Sequence, residues 1–373
     1  MGSLASRFSG LPMSQSALIR ATFAGLNPAH MSAQAKENIL AALLSLFCAC
    51  AQFRLIAMMY QVWYGRAADA AYGVVVGMPH WRSYQSRVLG PFIIDGLAKI
   101  FSTYLSAHVI VSIVALTIAG SLAWRLGKRL TENITGALLA LCLFQIAFVF
   151  CLTLPWIYIW DYLSAAIFFA FVLFVAQGKS WPWFAGLFSI AIFNRENALF
   201  IAAWMILDPV VRLILGKRKL IDPQPFALPM VAAGIVCLAG GIAVTEFLRN
   251  KLLVREIGYE IFKDTPAHFS MVQFQLTNNL HALAHALTSV DYNMQFVVVI
   301  IVLMLGGAAI YLAWVDPARW AGLGLVHLAM LAAIMSVGIL LETRLYVELI
   351  PLLVSAVMVA VSRAKREDHV LLS

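Results

Sequence analysis

The sequence has little charge for its length: 12% of its 373 residues are Asp, Glu, Lys or Arg, whereas 62% are hydrophobic. A soluble domain carries roughly 25% charged and 45–50% apolar residues. Because a water-soluble protein needs a charged exterior, this composition excludes an ordinary soluble fold. It predicts an all-α, polytopic bundle of transmembrane helices, with the lipid bilayer as a partner.

The sequence also lacks the motifs of several common functional classes. Its five cysteines lie in apolar runs, with no CxxC pair and no Cys/His cluster at zinc spacing, so neither a disulfide nor a metal is predicted. The absence of a GxxxxGK[ST] loop argues against nucleotide use. The excess of 26 Lys and Arg over 18 Asp and Glu falls in short clusters between apolar runs. This pattern is typical of loops that face anionic lipid, so no nucleic-acid partner is predicted.

Apolar runs of about 20 residues, the length that crosses a bilayer, recur throughout residues 39–362, the predicted transmembrane domain. Two longer polar stretches, 61–104 and 248–293, interrupt them, and the first contains a predicted amphipathic surface helix from Pro91 to Phe101. About ten spans are predicted: 39–60, 105–124, 134–152, 163–178, 181–193, 197–214, 227–247, 294–314, 320–341 and 345–362.

Lys and Arg in the short loops determine the expected orientation, because cytoplasmic loops are enriched in both. With ten spans, both tails (1–38 and 363–373) are cytoplasmic and both long polar loops are outside. Residues 1–38 lack an apolar core followed by a cleavage site, so we expect an uncleaved tail. The short loops suit a bacterial inner membrane. The basic residues that fall on the cytoplasmic side are Arg125, Lys128, Arg129, Lys179, Arg212, Lys217, Arg218, Lys219, Arg319, Arg363, Lys365 and Arg366.

The stretch 181–207 allows two interpretations. One long helix would place Arg195 and Glu196 near mid-membrane, at a cost of about 2.5–3.5 kcal/mol for each charge, and would move the basic residues downstream to the wrong face. Two short helices that break at Asn194 avoid both problems. We favour the break, which must then face a protein-lined cavity because lipid cannot solvate non-helical backbone.

In this topology, ionisable and polar residues converge on the outer face, as expected of residues that line a path or a site. Each also has a structural interpretation: Asp161 as a helix cap, and Arg195 with Glu196 or Glu342 with Arg344 as local ion pairs. The predicted site comprises Asp69, Arg87, Trp160, Asp161, Asn194, Arg195, Glu196, Glu342 and Arg344.

Arginine forks bind phosphate bidentately, and a carboxylate accepts the proton of an attacking hydroxyl during glycosyl transfer. A cavity with both suits an anionic, lipid-linked donor. A second feature, His281 with His285 on one helix face, has no third ligand nearby, so a surface or interface role is favoured over metal binding.

The sequence resembles bacterial integral-membrane glycosyltransferases of the GT-C superfamily, near members associated with surface polysaccharides. The resemblance is carried by the long first outer loop, the run Arg87-Val-Leu-Gly-Pro91, Asp161 at the start of a span, the Asn194-Arg195-Glu196 break and Glu342-Thr-Arg344 before the last span.

The resemblance implies a GT-C-like bundle, a polyprenyl-phosphate sugar donor, a lipid or polysaccharide acceptor, and an acidic base in the first outer loop. That base would be Asp69, with Asp161 as the second catalytic candidate. The family usually has two nearby acids there, often with a divalent metal, but residues 61–94 contain only Asp69, so no metal cofactor is predicted.

The other site residues receive binding roles. Three arginines are the candidates for the donor phosphate, while Asp161 and Glu196 would orient them or contact the sugar. The remaining three site residues are substrate-binding candidates. The arginines are Arg87, Arg195 and Arg344, and the remaining three are Trp160, Asn194 and Glu342.

Two alternatives stay open: a transporter or flippase of an anionic lipid-linked substrate, and a non-catalytic subunit of a membrane complex. A transporter often shows repeated halves with matching helix breaks. One break and no repeat are found here, which favours the enzyme. The oligomeric state is left open by the sequence.

Overall fold

The structure is a computed structural model. It describes residues 32–77, 84, 86–101, 103–151, 157–252, 274–288, 294–338, 340 and 342–371. Within these ranges every regular element is a helix and none is a strand, which confirms the predicted all-α fold. The chain divides into two compact units, Met1–Leu44 and Ser45–Ser373. The described part of the first unit is the beginning of helix α1, and the site lies in the second.

Thirteen α-helices follow one another in the described part of the chain: α1 Ala33–Tyr60, α2 Val62–Val75, α3 Leu89–Ala98, α4 Tyr104–Thr131, α5 Ile134–Phe150, α6 Ile159–Gln177, α7 Trp181–Ala191, α8 Leu199–Lys217, α9 Leu228–Phe247, α10 Leu276–Thr288, α11 Met294–Val315, α12 Pro317–Val337 and α13 Ile350–Leu371. Two 3₁₀ helices, Glu196–Ala198 and Thr343–Leu349, precede α8 and α13, and one π-helical turn, Leu248–Leu252, follows α9.

Eight helical stretches among the described residues are long and apolar enough to cross a membrane, so the chain is a multi-pass membrane protein. They are Ala33–Tyr60, Tyr104–Thr131, Ile159–Gln177, Glu196–Lys217, Leu228–Asn250, Val297–Val315, Pro317–Val337 and Thr343–Arg366. The predicted count of ten includes two shorter helices, α5 with 17 residues and α7 with 11, and stays a prediction.

The helix break predicted near residue 194 is confirmed, because α7 ends at Ala191 and the next helical residue is Glu196. The first predicted outer loop, 61–104, differs from expectation in carrying two helices. The predicted helix from Pro91 to Phe101 corresponds to α3, whereas α2 was not predicted. Asp69 therefore lies in a helix and not in a loop. Most of the second polar stretch, 253–273 and 289–293, is outside the described residues.

Helix α6 is the centre of the bundle. In its membrane-length window 83% of the residues are buried, the largest share among the eight stretches. Neighbouring α4 approaches closely through small residues, and its Ala107 and Ala119 are fully buried. In α4 a Cβ at Gly127 would lie 2.5 Å from Ala140 of α5. Close approach through small residues is a common way to pack membrane helices, and here it places the start of α6 in the protein interior.

The bundle has a site end, where α6 and α8 begin, and a basic end, where both finish. At the basic end Arg129 Nε donates to the Ala176 carbonyl at 3.4 Å, and Arg363 Nη2 donates to the Val315 carbonyl at 2.8 Å. Lys217, in the last turn of α8, is about 30 Å along the helix from Glu196. The structure thus separates these basic residues from the predicted site along the helix axes.

Candidate functional site

The break between α7 and α8 is fixed to two neighbouring segments. The side-chain amide of Asn194 donates to the Trp160 carbonyl at 3.0 Å and to the Ser164 hydroxyl at 3.1 Å, both on α6. The Leu89 N–H donates to the Phe193 carbonyl at 2.9 Å. These bonds satisfy backbone that has left the helix, and they bring Arg87 alongside the break.

Arg195 and Glu196 lead to two different groups of charges. Arg195 has an extended backbone (φ −164°, ψ 145°), and in extended chain successive side chains point to opposite sides. The expected ion pair between the two neighbours is therefore replaced by contacts with other segments. Arg195 contacts Asp161 and Glu348, while Glu196 contacts Arg87 and Arg249.

The first group, here called the buried cluster, consists of Asp161, Arg195, Glu342, Arg344 and Glu348. Arg195 Nη1 lies 3.1 Å from Asp161 Oδ1 and 3.4 Å from Glu348 Oε1. Arg344 Nη1 lies 3.4 Å from Asp161 Oδ2, and its Nη2 lies 2.5 Å from Glu342 Oε1. The Asp161 and Glu348 side chains are completely buried. The expected pair of Glu342 with Arg344 is confirmed.

Asp161 also caps α6, as its structural interpretation predicted. The Tyr158 N–H donates to Asp161 Oδ2 at 2.9 Å. Both carboxylate oxygens are thus bound by cations or by the helix terminus, which leaves this carboxylate committed to holding Arg195 and Arg344 in place. Its catalytic role stays a prediction.

Glu342 is the member of the buried cluster closest to solvent, with 20% of its side chain exposed. Burial acts to raise the pKa of its carboxyl, but the attraction of Arg344, and more weakly of Arg195 and Arg87, outweighs that effect. The pKa of Glu342 is therefore lowered, and the group is ionised at neutral pH.

The second group, here called the Arg87 corner, consists of Arg87, Glu196 and Arg249. Glu196 Oε1 accepts ion pairs from Arg87 Nη2 and Arg249 Nη2, both at 3.2 Å. Four buried polar atoms remain without a hydrogen-bond partner in the described structure: Arg87 Nε and Nη1, Arg249 Nε, and Glu196 Oε2. Since unpaired buried N–H groups are costly, this corner has unused capacity to bind an anion.

Aromatic rings hold both groups of arginines. The Arg87 guanidinium lies 5.1 Å from the centre of the Tyr84 ring and 5.4 Å from that of Trp160, and Arg344 lies 4.9 Å from Tyr158. Tyr158 stacks on Trp160 at 4.7 Å. Cation–π contacts of this kind are worth about 2 kcal/mol when desolvated. They fix the direction of the guanidinium groups before any substrate arrives.

Asp69 lies apart from both groups. It borders a cavity of about 140 Å³ together with Gly65, Tyr72 and Tyr104. Burial raises the pKa of the Asp69 carboxyl, and no charged neighbour among the described residues contributes to that shift. The structure thus brings together every predicted site residue except Asp69.

An apolar groove of about 390 Å³ lies between α5, α11 and α13. Its lining includes Ile146, Met304 and Leu353, and it reaches Tyr346 on the 3₁₀ helix that also carries Arg344. The groove therefore begins next to the buried cluster and continues along membrane-spanning helices.

Sequence reasoning missed two charged members of these groups. Glu348 was placed inside the last predicted span, where an acid at membrane depth is itself a signal of a site. Arg249 was assigned to the second outer loop, although it directly follows α9. His281 and His285 lie exposed on α10, and the described residues contain no group of three or more side chains suited to a metal.

Comparison with protein-family models, curated proteins and solved structures gives no match to this chain. The resemblance to GT-C glycosyltransferases stays a prediction from the sequence.

Proposed function

We propose that the protein is a membrane glycosyltransferase that moves a sugar from a polyprenyl-phosphate donor to a lipid or polysaccharide acceptor on the outer face of the membrane. The observation that carries this proposal is the Arg87 corner, where buried guanidinium N–H groups have no partner among the described residues, beside a membrane-spanning bundle. A bacterial inner membrane and a GT-C-like architecture belong to the same proposal.

The donor phosphate is assigned to Arg87 and Arg249. Their two positive charges face the single negative charge of Glu196, which leaves a surplus of one positive charge (+2 − 1 = +1). Glu246 also pairs with Arg249, at 3.5 Å, but its side chain is 54% exposed, so its charge acts more weakly at the corner than that of the less exposed Glu196. Guanidinium groups bind phosphate through paired N–H groups. Arg195 and Arg344, which are each paired with two acids, have a positioning role.

The lipid part of the donor is assigned to the apolar groove. The groove is lined almost throughout by aliphatic and aromatic side chains, and about 25 cal/mol are gained for each Å² of apolar surface removed from water. One end lies beside the 3₁₀ helix of Arg344. A hydrocarbon chain in the groove would therefore have its polar head at the site end.

Asp69 is assigned the role of general base. The other acids named at the site end pair with a cation: Asp161, Glu196, Glu342 and Glu348 with arginines, and Asp95 with Lys99. Among the described residues, Asp69 has no ion pair. The raised pKa of Asp69 makes it a better proton acceptor than an ordinary Asp.

In the proposed reaction, Asp69 accepts the proton of the acceptor hydroxyl while the hydroxyl oxygen bonds to the anomeric carbon of the sugar. The bond from that carbon to the phosphate oxygen breaks, and polyprenyl phosphate leaves with the electron pair. Arg87 and Arg249 stabilise the negative charge on the departing phosphate.

The test measures how the purified protein in detergent binds and turns over a panel of polyprenyl-phosphate sugars. Wild type is compared with Asp69→Asn. Asp95→Asn is the matched control, because Asp95 is an acid of the same segment that pairs with Lys99 at 3.7 Å. We expect Asp69→Asn to bind donor but to lose about 10²–10⁴-fold in turnover, with the control unchanged.

Binding without turnover in wild type would favour a carrier of the same substrate, which the break between α7 and α8 would also suit. Absence of binding across the whole panel would reject the proposal and leave a non-catalytic subunit as the better interpretation.

A further inference from the structure

A second polar cavity lies at the basic end of the bundle, away from the site. It has a volume of about 160 Å³, several times the roughly 30 Å³ occupied by a water molecule in the liquid. We call it the Trp204 cavity. Its polar lining consists of Lys179, Trp204, Asp208, Arg212 and Gln224. It is large enough for a small polar group.

Trp204, Lys179 and Arg212 carry hydrogen-bond donors on the wall of this cavity, beside the amide of Gln224. The Trp204 side chain is buried, with 2% exposure, and its indole N–H has no partner among the described residues. Lys179 contributes an ammonium group and Arg212 a guanidinium group. A buried unpaired donor is costly, so the indole N–H is a reason to expect an acceptor in the cavity.

Arg212 is held in one orientation. Its Nε lies 2.7 Å from Asp208 Oδ2, and its Nη1 donates to Gln224 Oε1 at 3.3 Å. Asp208 is itself wedged against α12, since a Cβ at Gly322 would lie 2.5 Å from Asp208 Oδ1. The ion pair uses Arg212 Nε and the bond to Gln224 uses Nη1, which keeps the guanidinium at the cavity wall with Nη2 on its remaining side.

The cavity carries a net positive charge. Lys179 and Arg212 contribute two positive charges and Asp208 one negative charge (+2 − 1 = +1). Lys217 and Arg218 follow at the end of α8 and are exposed. An anion is therefore the ligand that the charge favours.

The residues around the Trp204 cavity are typical of the membrane–water interface. Lys179 lies 5.1 Å from the ring centre of Trp183, and the side chains of Trp181 and Trp183 are 42% and 54% exposed. Exposed tryptophans with nearby Lys and Arg are typical of the depth at which lipid headgroups lie. Basic pockets between membrane helices recognise anionic headgroups.

We propose that the Trp204 cavity binds the phosphate group of an anionic membrane lipid. Lys179 neutralises the phosphate charge, while the Trp204 indole N–H and the free side of the Arg212 guanidinium donate hydrogen bonds to its oxygens. This assignment does not depend on the glycosyltransferase proposal, because it uses none of the residues at the site end.

The experiment titrates the purified, delipidated full chain with phosphatidylglycerol or phosphatidylcholine and counts bound lipid by native mass spectrometry. The variants are Lys179→Met, which removes the charge, and Trp204→Phe, which keeps the ring but removes the N–H donor. Lys217→Met is the matched control, since Lys217 is an exposed lysine at the same end that does not line the cavity. Unfolding temperatures verify that each variant is folded.

We expect wild type to bind phosphatidylglycerol about tenfold more tightly than phosphatidylcholine, and each cavity variant to lose about fivefold in affinity for the anionic lipid. The control should change by less than about twofold. Equal binding of both lipids would overturn the proposal. So would an equal loss in Lys217→Met, or displacement of the lipid by millimolar inorganic phosphate, which would identify a site for soluble phosphate instead.

Discussion

The buried cluster and the Arg87 corner are adjacent groups of the same residue types, but their charges are used differently. In the buried cluster Arg195 and Arg344 are each bound by two acids. In the Arg87 corner two arginines share Glu196, Arg249 also pairs with the exposed Glu246, and three of their N–H positions have no partner among the described residues. Among the described residues the buried cluster has one such position, Arg195 Nε, so the Arg87 corner is the group more available to a ligand.

The charge balance of the two groups supports the same distinction. The buried cluster has two arginines and three acids (+2 − 3 = −1), while the Arg87 corner has a surplus of one positive charge (+2 − 1 = +1). A phosphate is therefore repelled by the first group and attracted by the second. Mutations that remove one charge at a time should separate the two roles.

The largest effect is expected from Arg195→Met in the buried cluster. This change leaves Glu348 fully buried without its cationic partner, while the neutral side chain of Asn197 still donates to it at 2.5 Å. Removing one partner of a buried ion pair costs about 3–5 kcal/mol. Thermal or chemical unfolding in detergent measures the loss, with Arg363→Gln at the basic end as control. A loss no larger than that of the control would show that the buried cluster does not support the fold.

We expect Glu342→Gln to lower the free energy of unfolding by a smaller amount, about 1.5–3 kcal/mol. Hydrogen bonds to a charged partner contribute about that much. Its pKa is lowered in the folded state by Arg344. The stabilisation is thus present above the unfolded pKa of about 4.3 and is lost as the pH falls through the lowered folded value. Unfolding measured from pH 7 downward should show this acid-dependent loss of stability in wild type. The same pH dependence in Glu342→Gln would contradict the assignment of this loss to Glu342.

Arg249→Gln in the Arg87 corner should change the free energy of unfolding by less than about 1 kcal/mol. Its side chain is 19% exposed, and Glu196 keeps Arg87 as a partner. The same unfolding assay tests this expectation beside Arg195→Met. Comparable destabilisation by the two variants would remove the distinction between the two groups.

The smallest effect, and one of opposite sign, is expected from Asp69→Asn. Burial raises the pKa of Asp69 in the folded state, so the charged carboxylate is disfavoured there and stability falls as the pH rises from the unfolded value through the folded one. Removing the charge should raise the unfolding temperature slightly at pH 7 and leave it unchanged at pH 3. A lower unfolding temperature at pH 7 would indicate an ion pair at Asp69.

The helix break could be predicted from the sequence because the cost of placing charges in lipid favours two short helices over one long helix at residues 194–196. The pairing within the break could not. Arg195 and Glu196 are neighbours in sequence, and the extended backbone that sends them to different groups depends on the bonds of Asn194 to α6. Local adjacency therefore predicted the wrong partner.

The missed residues have a similar explanation. Glu348 lies within the predicted last span, and the 3₁₀ helix that begins at Thr343 turns its side chain toward Arg195. The position of Asp69 depends on α2, a helix of 14 residues that is too short to cross a membrane and lies in a stretch interpreted as a loop. Long-range packing, which no sequence window contains, decides that Asp69 borders its own cavity and not the Arg87 corner.

The most direct test of the account is the dissociation constant of polyprenyl phosphate for wild type, Arg249→Gln and the control Arg363→Gln, each shown by its unfolding temperature to be folded. The account predicts that Arg249→Gln binds about tenfold more weakly than wild type, while the control binds as wild type does. Equal binding by all three proteins would contradict the assignment of the Arg87 corner to the donor phosphate.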